Sequence, residues 1–564
     1  MKRTFFGAIA AVAILGAGPG FANPDAGSYL AARQALQAND FAEAARHLSR
    51  GLIADPSEPF LLENAMTAYI ALGDIERALP IAENIAALGY ESQVANLILM
   101  VSNAKLGNWQ GIFDTLESGR NVGPLVDGLA KSWAHLGAGD ITRAIASFDD
   151  VIATEGMQVY GLTHKAYALA SVGDFEGADA IYSGQVSGGM RYNRQSAIAH
   201  AQILSQLGRN DAATGIIDGV FGDQLDPGVA ELRAKLAADE AVAYTAVRTP
   251  EQGLADLSHV IAGIVQQDAP PSFTLMYARA ATYLWPENTA AVLMTARLLE
   301  ELGQHELANI AFASVSRDDP SFPAAELGRA EVLRAAGRQD AAIEVLEALT
   351  RSHPDMPDVY ATKGDTLRQA ERYEEAIAAY TRALELYDEG QSARWFVHYT
   401  RGISYHRIDD WPDAEADFRA ALALRPDHPQ VLNYLGYSLV ERGEKLDEAL
   451  AMIETAAIAQ PENGAIVDSL GWVYFQLGRY DEAVFHLERA ASLEPVDPVI
   501  NDHLGDAFWA VGRETEAHFQ WHRALSFDPE ADEALRIRDK LKRGLDLVLV
   551  DEGLAPIRVA SGDD

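Results

Sequence analysis

The sequence predicts an all-α protein built from repeated helical hairpins. Three observations support this class: prolines recur at a fixed interval, small residues recur at fixed places within each interval, and no segment shows a convincing strand pattern. The prolines form two series with a spacing of 34 residues: Pro286, Pro320 and Pro354, then Pro461, Pro495 and Pro529. A period of this length is typical of helical repeat arrays, in which each unit buries its apolar face by stacking on its neighbours.

Small residues within each period mark the points where two helices cross. A glycine is followed by an alanine twelve residues later and by a second alanine seven residues after that. The four clearest sets are Gly364, Ala376 and Ala383; Gly402, Ala414 and Ala421; Gly471, Ala483 and Ala490; and Gly505, Ala517 and Ala524. Antiparallel helices approach closely only where a side chain is nearly absent, and a following proline ends the second helix.

This pattern resembles the tetratricopeptide repeat (TPR) family, with seven regular units over residues 287–529. The resemblance implies a TPR α-solenoid, a right-handed superhelix whose first helices line the inner, concave surface. The unit around Gly436 carries one inserted residue between Glu444 and Asp447. The unit before it has four extra residues, which predict a longer helix or loop near Gly390–Phe396.

The remaining segments are predicted as a degenerate N-terminal half and two C-terminal pieces. Residues 23–221 are expected to form about six degenerate hairpins, with turns near Asn39, Gly73, Gly107, Asp140, Gly173 and Gly208. Residues 222–286 are predicted as an irregular helical connector, helical over 229–247 and 250–267. A capping helix is expected within 530–546, followed by a tail over 547–564, for which a disordered end is favoured over a short strand at 548–550.

The first 22 residues have the pattern of a signal peptide. Lys2 and Arg3 precede an apolar run of about 14 residues, which is shorter than the roughly 20 residues of a membrane span. Small residues at Gly20 and Ala22 predict cleavage after Ala22. We therefore expect a periplasmic protein without stable membrane insertion, since a cysteine-free exported chain fits that compartment.

Composition excludes several functions. The 564 residues include 45 Lys and Arg against 82 Asp and Glu, so a net charge of −37 argues against a nucleic-acid partner. The absence of cysteine excludes disulfides, thiolate metal sites, a cysteine nucleophile and a lipidated N-terminal cysteine. No nucleophile elbow, phosphate loop or dinucleotide fingerprint occurs between a strand and a helix, so we expect neither enzymatic activity nor a cofactor. His518 and His522 have helical metal-ligand spacing but supply at most half of a tetrahedral site, so no metal is expected.

A strip of aromatic and polar residues is the candidate partner-binding surface. The positions three before, one after and four after each crossing glycine are expected to face the concave surface that the TPR resemblance implies. The candidate residues are Tyr399, Asn433, Tyr437, Asp468, Trp472, Phe475, Asp502, Asp506 and Trp509. Exposed aromatics grouped in a groove mark a protein interface, and the alternative is that Trp472 and Trp509 pack between adjacent repeats. Since this strip lacks Lys and Arg, a basic or apolar partner segment is favoured over an acidic tail.

A finer resemblance concerns the last three regular units. The segments Leu435–Arg442, Asp468–Tyr474 and His503–Gly512 are similar to TPR lipoproteins of the bacterial envelope, which act as adaptors of carboxyl-terminal processing proteases. This chain departs from them because it has no cysteine to acylate. We expect an exported scaffold or adaptor that binds a protein segment in its groove, with such a protease or its substrate as a candidate partner. The alternative is a component of envelope assembly, secretion or polysaccharide-export machinery.

Overall fold

The computed structural model describes residues 24–185, 192–222 and 225–557, and the predicted signal peptide over 1–22 lies outside these ranges. The described residues contain 31 helices and no strand, which confirms the predicted all-α class. The chain divides into two compact units, with unit 1 ending at Val345 and unit 2 beginning at Leu346.

Unit 1 begins with six helical hairpins, α1/α2 to α11/α12, and continues with further helices. Their bounds are α1 (Pro24–Gln37), α2 (Phe41–Ala54), α3 (Pro59–Leu72), α4 (Ile75–Ala87), α5 (Gln93–Lys105), α6 (Trp109–Glu117), α7 (Pro124–Gly137), α8 (Ile141–Ala153), α9 (Gln158–Ser171), α10 (Phe175–Tyr182), α11 (Arg194–Gln206), α12 (Asn210–Phe221), α13 (Pro227–Ala237), α14 (Pro250–Val265), α15 (Pro271–Leu284), α16 (Thr289–Glu301), α17 (His305–Ala313) and α18 (Phe322–Ala335). Helix α19 (Gln339–Ser352) contains the division between the units.

The first five hairpins share one kind of turn. In each, a residue with positive φ precedes an Asp or Asn whose side chain accepts the backbone N–H three residues later. These cap residues are Asp40, Asp74, Asn108, Asp140 and Asp174. The preceding residue is glycine in four turns and Asn39 in the first. Because the side-chain cap satisfies a free N–H of the second helix, this short sequence both ends one helix and begins the next.

The connector differs from the sequence-based expectation between residues 238 and 249. The predicted helix over 229–247 ends at Ala237, and Asp239 takes a positive φ of 56°. Side chains of α11 satisfy the backbone beyond it: Gln202 accepts the N–H groups of Thr245 and Ala246 at 2.9 and 3.2 Å, and Ser205 accepts that of Val242 at 2.9 Å. These bonds replace the helical ones, so the segment lies along α11 in a non-helical conformation.

Helices α14 and α15 form a hairpin that packs on the first helices of the N-terminal repeats, α3, α5, α7 and α9. The Arg279 guanidinium of α15 donates two hydrogen bonds to the carbonyl of Ala71, at 2.9 and 3.1 Å. Burial lowers the pKa of Arg279 to about 10. The ammonium of Lys105 also donates to the carbonyl of Leu284 at 3.4 Å. The inner face of these repeats is therefore covered by helices of the same chain.

The other helix of this hairpin, α14, packs closely on α7 and α9. Gly253 lies against Trp133, and a Cβ atom there would overlap the indole ring. The Trp133 N–H donates to His164 at 3.2 Å, and the other ring nitrogen of His164 lies 3.9 Å from the Asp256 carboxylate of α14. Burial raises the pKa of Asp256 to about 7 and lowers that of His164 to about 3.

Unit 2 consists of five hairpins and a terminal helix pair. The bounds are α20 (Pro357–Gln369), α21 (Tyr373–Leu386), α22 (Arg394–Arg407), α23 (Trp411–Leu424), α24 (Pro429–Glu441), α25 (Leu446–Ala459), α26 (Gly464–Gln476), α27 (Tyr480–Leu493), α28 (Pro498–Ala510), α29 (Glu514–Ser526), α30 (Ala531–Arg543) and α31 (Leu545–Asp551). The four extra residues near Gly390 fall in a longer loop, 387–393, and Lys445 at the insertion has a positive φ of 49°.

The crossing glycines of unit 2 are closely packed. A Cβ atom on any of five would lie within 3 Å of a side chain on the second helix; the pairs are Gly364 with Tyr380, Gly402 with Phe418, Gly436 with Ile453, Gly471 with Leu487 and Gly505 with Trp521. The glycine and its large partner together fix the distance between the two helices of each hairpin.

The prediction of a tail from residue 547 is wrong for residues 547–551, which belong to helix α31 rather than to a strand or a disordered end. Leu545, Val548 and Leu549 have helical spacing and are buried, and Leu545 and Leu549 belong to the core of unit 2. Gly544, with φ of 82°, separates α31 from the capping helix α30. Residues 558–564 lie outside the described part of the chain.

Candidate protein-interaction surface

The first helices of the unit 2 hairpins carry all nine candidate residues. Consecutive first helices pack on one another in the pairs α20 and α22, α24 and α26, and α26 and α28. Five candidates are partly exposed: Tyr399, Asn433, Tyr437, Asp502 and Trp509. Four are buried: Asp468, Trp472, Phe475 and Asp506. The candidates therefore differ in their surroundings. The ring of Tyr399 lies beside those of Phe418 and Tyr434, with centroids 6.1 and 6.0 Å apart.

Three candidates, Asn433, Tyr437 and Asp468, line one cavity of about 340 Å³. The cavity is also lined by His406 of α22, which lies four residues after Gly402, as Phe475 lies four after Gly471. Sequence reasoning missed its other lining residues: Tyr434, Ser438, Ala465, Ser469, Asp497, Val499 and Ile500. Several of these lie one residue away from a selected position, so widening the strip on α24 and α26 would have included Tyr434, Ser438 and Ser469.

Burial and neighbouring charges shift the pKa values of two titratable groups in this cavity, Tyr437 and His406. Burial raises the pKa of the Tyr437 phenol, and the nearby carboxylates of Glu441 and Asp468 act in the same direction. Burial lowers the pKa of His406, and Arg407 adds to this effect. At neutral pH the cavity thus has neutral phenol and imidazole groups beside carboxylates.

Asp468 is bound by a residue of the next repeat. Its carboxylate lies 2.9 Å from Nδ1 of His503 on α28. Burial acts to lower the pKa of His503, but the carboxylate of Asp468 and those of Asp502 and Asp506 outweigh it, so that the pKa is raised. The imidazole and the carboxylate are thus joined by a buried hydrogen bond between α26 and α28, in surroundings that favour the protonated form of His503.

Trp472 and Phe475 are buried in the core of unit 2 and are not part of an exposed strip, and for Trp472 this is the alternative of packing between adjacent repeats. The Trp472 ring stacks on Phe475 with centroids 4.8 Å apart and on His503 with centroids 3.9 Å apart. Its indole N–H donates to Glu441 at 2.8 Å, and only 8% of the residue is exposed. Trp472 directly follows the crossing glycine Gly471, and its large ring fills the space between neighbouring first helices.

The candidates on α28 are engaged by the terminal helices. Lys540 of α30 binds both Asp502 and Asp506, with its Nζ 2.8 and 2.7 Å from the nearest carboxylate oxygens. The Trp509 indole N–H donates to Asp546 of α31 at 2.9 Å. At this end of unit 2 the acidic and aromatic positions therefore bind the chain itself.

A separate buried chain of hydrogen bonds in unit 1 was not anticipated. His200 binds Asp179 through Nε2 at 2.9 Å and the Tyr192 hydroxyl through Nδ1 at 2.7 Å. Arg209 donates to the second oxygen of Asp179 at 2.6 Å, and Tyr182 stacks on the His200 ring at 4.7 Å. Since both nitrogens of His200 are bonded within the cluster, we interpret it as a link between α10 and α11.

The described ranges contain no group of three or more His, Cys, Asp or Glu residues placed to hold a metal ion. In the predicted histidine pair, Nδ1 of His518 lies 2.8 Å from the carbonyl of Glu514, and its ring packs on Trp521 with centroids 5.5 Å apart. Among the helices of the described residues, none has the length and apolar character required to cross a bilayer.

Comparison with known proteins identifies the repeats. One tetratricopeptide repeat profile matches residues 293–357 and 399–446, and a second matches 357–389 and 468–495. A TPR repeat-containing protein of Pseudomonas aeruginosa, PA4667, is 36% identical over 81 residues. That match spans 14% of this chain and 14% of the relative.

Several solved structures also align with this chain. The Cut9–Hcn1 hetero-tetramer of APC/C aligns over 93% of this chain and 96% of its own, with 15% identity and a TM-score of 0.38. A tetratricopeptide repeat protein of Parabacteroides merdae aligns over 45% and 97%, with 16% identity and a TM-score of 0.36. Yeast Tom70 aligns over 94% and 96%, with 13% identity and a TM-score of 0.30. TM-scores this low do not support a shared shape or function.

The profile matches cover much of the segment in which the sequence shows a 34-residue period, and there the structure has paired antiparallel helices with closely packed crossing glycines. The chain therefore carries tetratricopeptide repeats in an all-α array of helical hairpins.

Proposed function

We propose that this protein is an exported scaffold that binds a segment of a partner protein on the inner surface of unit 2. Tetratricopeptide repeats are protein-interaction modules, and the cavity lined by Asn433, Tyr437 and Asp468 is the observation that carries the proposal. It combines aromatic faces, hydrogen-bonding groups and apolar contacts, as anchoring pockets of protein interfaces do.

The proposal assigns the partner to unit 2 because the inner faces of the two sets of repeats differ. In unit 1, α14 and α15 already cover the first helices α3, α5, α7 and α9. In unit 2, the terminal helices engage the inner face of α28, whereas Tyr437 and Asn433 on α24 remain partly exposed at the cavity.

Site-specific photocrosslinking in cells tests the binding surface. A photoreactive residue at Ala465, which is exposed at the cavity, should give partner adducts that the additional change Tyr437→Ala removes. The matched control places the same residue at Phe485, which is 68% exposed on the second helix α27. Adducts of the same identity and yield from both positions would contradict the proposal.

Export is a separate part of the proposal and rests on the N-terminal sequence. Fractionation of the native bacterium should place the protein in the periplasm, and N-terminal sequencing should begin at Asn23. A cytoplasmic protein that retains residues 1–22 would contradict this part and leave the binding surface untouched.

A processing-protease adaptor is the second candidate function. It is favoured by the three segments that resemble protease adaptors, because they lie largely within α24, α26 and α28, and these helices line the cavity. Mixing the purified protein with the processing protease of its host should accelerate cleavage of a protein substrate. An unchanged cleavage rate without complex formation would end this candidate. A partner from secretion or polysaccharide-export machinery in the crosslinking experiment would favour the alternative.

A further inference from the structure

The inner faces of α24, α26 and α28 are acidic. These three helices contain four carboxylates, Glu441, Asp468, Asp502 and Asp506, and no Lys or Arg. A buried carboxylate requires a compensating charge or hydrogen-bond donor, so the neighbours of each one show which ligand chemistry the surface accepts.

At the last repeat, the compensating group is an ammonium ion. Lys540 of α30 is fully buried, with Nζ within 3.0 Å of both oxygens of Asp502 and both of Asp506. Arg536 adds a second cation, 3.6 Å from Asp506. Lys540 of α30 thus binds Asp502, which lies three residues before the crossing glycine Gly505.

The preceding junction repeats this arrangement. Asp468 lies three residues before Gly471, as Asp502 lies three before Gly505. Its partner is His503 of the next first helix, whose pKa is raised by the surrounding carboxylates. At two consecutive junctions, a basic side chain therefore lies on the carboxylate three residues before the crossing glycine: His503 of α28 on Asp468, and Lys540 of α30 on Asp502.

At the junction of α24 and α26, the chain supplies no such group. The equivalent residue is Asn433, three before Gly436, and within the described part of the chain its Oδ1 has no hydrogen-bond partner. The counterpart of His503 is Ser469, whose hydroxyl donates to the carbonyl of Ala465 at 2.9 Å instead. The 340 Å³ cavity lies at this junction, and its lining includes no Lys or Arg.

We infer that a lysine or arginine side chain of the partner occupies this cavity. The carboxylate of Asp497 supplies the negative charge, since that of Asp468 is already bound by His503, and the rings of Tyr434 and Tyr437 offer faces to a cation. Val499 can pack against the aliphatic stem. This inference rests on the proposed function of the surface and adds the chemistry of the anchoring residue.

Selection from a random peptide library tests the inference. A phage-displayed library of 12-residue peptides is panned on the full-length mature protein, and clones that also bind the Tyr437→Ala variant are discarded. We expect the remaining peptides to share one basic residue. Replacing it with citrulline for arginine, or norleucine for lysine, should weaken the dissociation constant about ten-fold or more in fluorescence polarisation.

Asp497→Asn provides the matching change on the protein. Asp497 caps α28 by accepting the backbone N–H of Ile500, and asparagine caps equally well, so the variant removes a cavity charge and keeps the helix start. It should weaken the basic peptide about five-fold and leave the citrulline or norleucine form unchanged. Phe485→Ala, at an exposed site on α27, serves as the control and should alter neither.

The outcomes separate the inference from the proposed function. Tyr437-dependent peptides that lack a basic residue, or whose affinity survives its neutral replacement, overturn the inference and support the binding surface. Failure to obtain any Tyr437-dependent peptide counts against the surface and the inference together.

Discussion

The ammonium nitrogen of Lys540 lies 2.7 Å from each carboxylate oxygen of Asp506, and both side chains are buried. Asp506 also accepts the indole N–H of Trp521 at 2.9 Å, so its charge is surrounded by donors from α29 and α30. The capping helix is therefore joined to the last repeat by a charged network as well as by apolar contacts.

Replacing Lys540 with methionine should destabilise unit 2. The change leaves Asp502 and Asp506 buried without their main cation, and loss of one partner of a buried pair lowers the free energy of unfolding by about 3–5 kcal/mol. Urea denaturation followed by circular dichroism measures the effect. Lys542→Met is the matched control, because 71% of the Lys542 side chain is exposed. Equal stability of the two variants would show that the network is not required.

Gly253→Ala should destabilise unit 1 by about 1–3 kcal/mol, because the added methyl group overlaps the ring of Trp133. The comparison variant is Gly215→Ala in α12, where a Cβ atom meets nothing within 4 Å. That substitution should stabilise the helix by about 0.5–1 kcal/mol, since alanine loses less backbone entropy than glycine. Thermal unfolding distinguishes the opposite signs, and a stabilising effect at Gly253 would refute the close approach of α14 to α7.

The buried pair of Asp256 and His164 should give opposing pH effects on stability. The folded-state pKa of Asp256, about 7, exceeds the unfolded value near 3.9, so its contribution is complete at low pH and is lost as the pH rises towards 7. The folded-state pKa of His164, about 3, lies below its unfolded value near 6.5, so its contribution is complete above that pH and is lost as the pH falls. Between about pH 4 and 6.5 the two slopes cancel.

Asp256→Asn should therefore remove the loss of stability with rising pH that Asp256 causes and leave the opposite effect of His164. Relative to the wild type, the variant should gain free energy of unfolding as the pH rises from 4.5 to 7, by up to about 1.4 kcal/mol per pH unit. The neighbouring phenols of Tyr167, Tyr182 and Tyr244 have raised pKa values and stay neutral throughout this range. Urea denaturation across the range provides the measurement. A pH-independent difference between variant and wild type would mean that Asp256 does not titrate as described.

Trp472 and Tyr437 should separate stability from binding. Trp472→Ala removes a ring stacked between Phe475 and His503 and should lower the free energy of unfolding by about 3–5 kcal/mol. Tyr437→Ala should chiefly reduce the yield of crosslinked partner. Denaturation curves and crosslinking yields for both variants, with Phe485→Ala as the exposed reference, provide the comparison. If Trp472→Ala were as stable as the reference, the ring would not be part of the packing between repeats.

Local patterns in the sequence predict the hairpins well. A crossing glycine and its large partner, such as Gly471 and Leu487, lie 16 residues apart within one hairpin, so their relationship repeats with the period. The turn at Asp74 depends on only a few neighbouring residues. The helix at 545–551 was missed because its short apolar run fits more than one secondary structure until its packing is known.

Long-range packing could not be predicted in the same way. Arg279 and Ala71 are separated by 208 residues, and nothing in the period of the chain relates α15 to α3. Burial within the candidate strip depends on the next repeat. His503 covers Trp472, whereas Ser469, its counterpart in α26, is too small to cover Tyr437 of α24 in the same way. Equivalent positions therefore differ in exposure even though the repeat places them alike.

The helical hairpin of α14 and α15 also determines how unit 1 meets other molecules. Because it is tethered to the repeats that it covers, its effective concentration at their surface is on the order of millimolar or higher. A free peptide would have to compete with this intramolecular occupant and also separate the contacts of Arg279 with Ala71 and of Gly253 with Trp133. We therefore expect weak or transient ligands to be excluded from the inner face of the N-terminal repeats, since a ligand there would have to displace the entire hairpin.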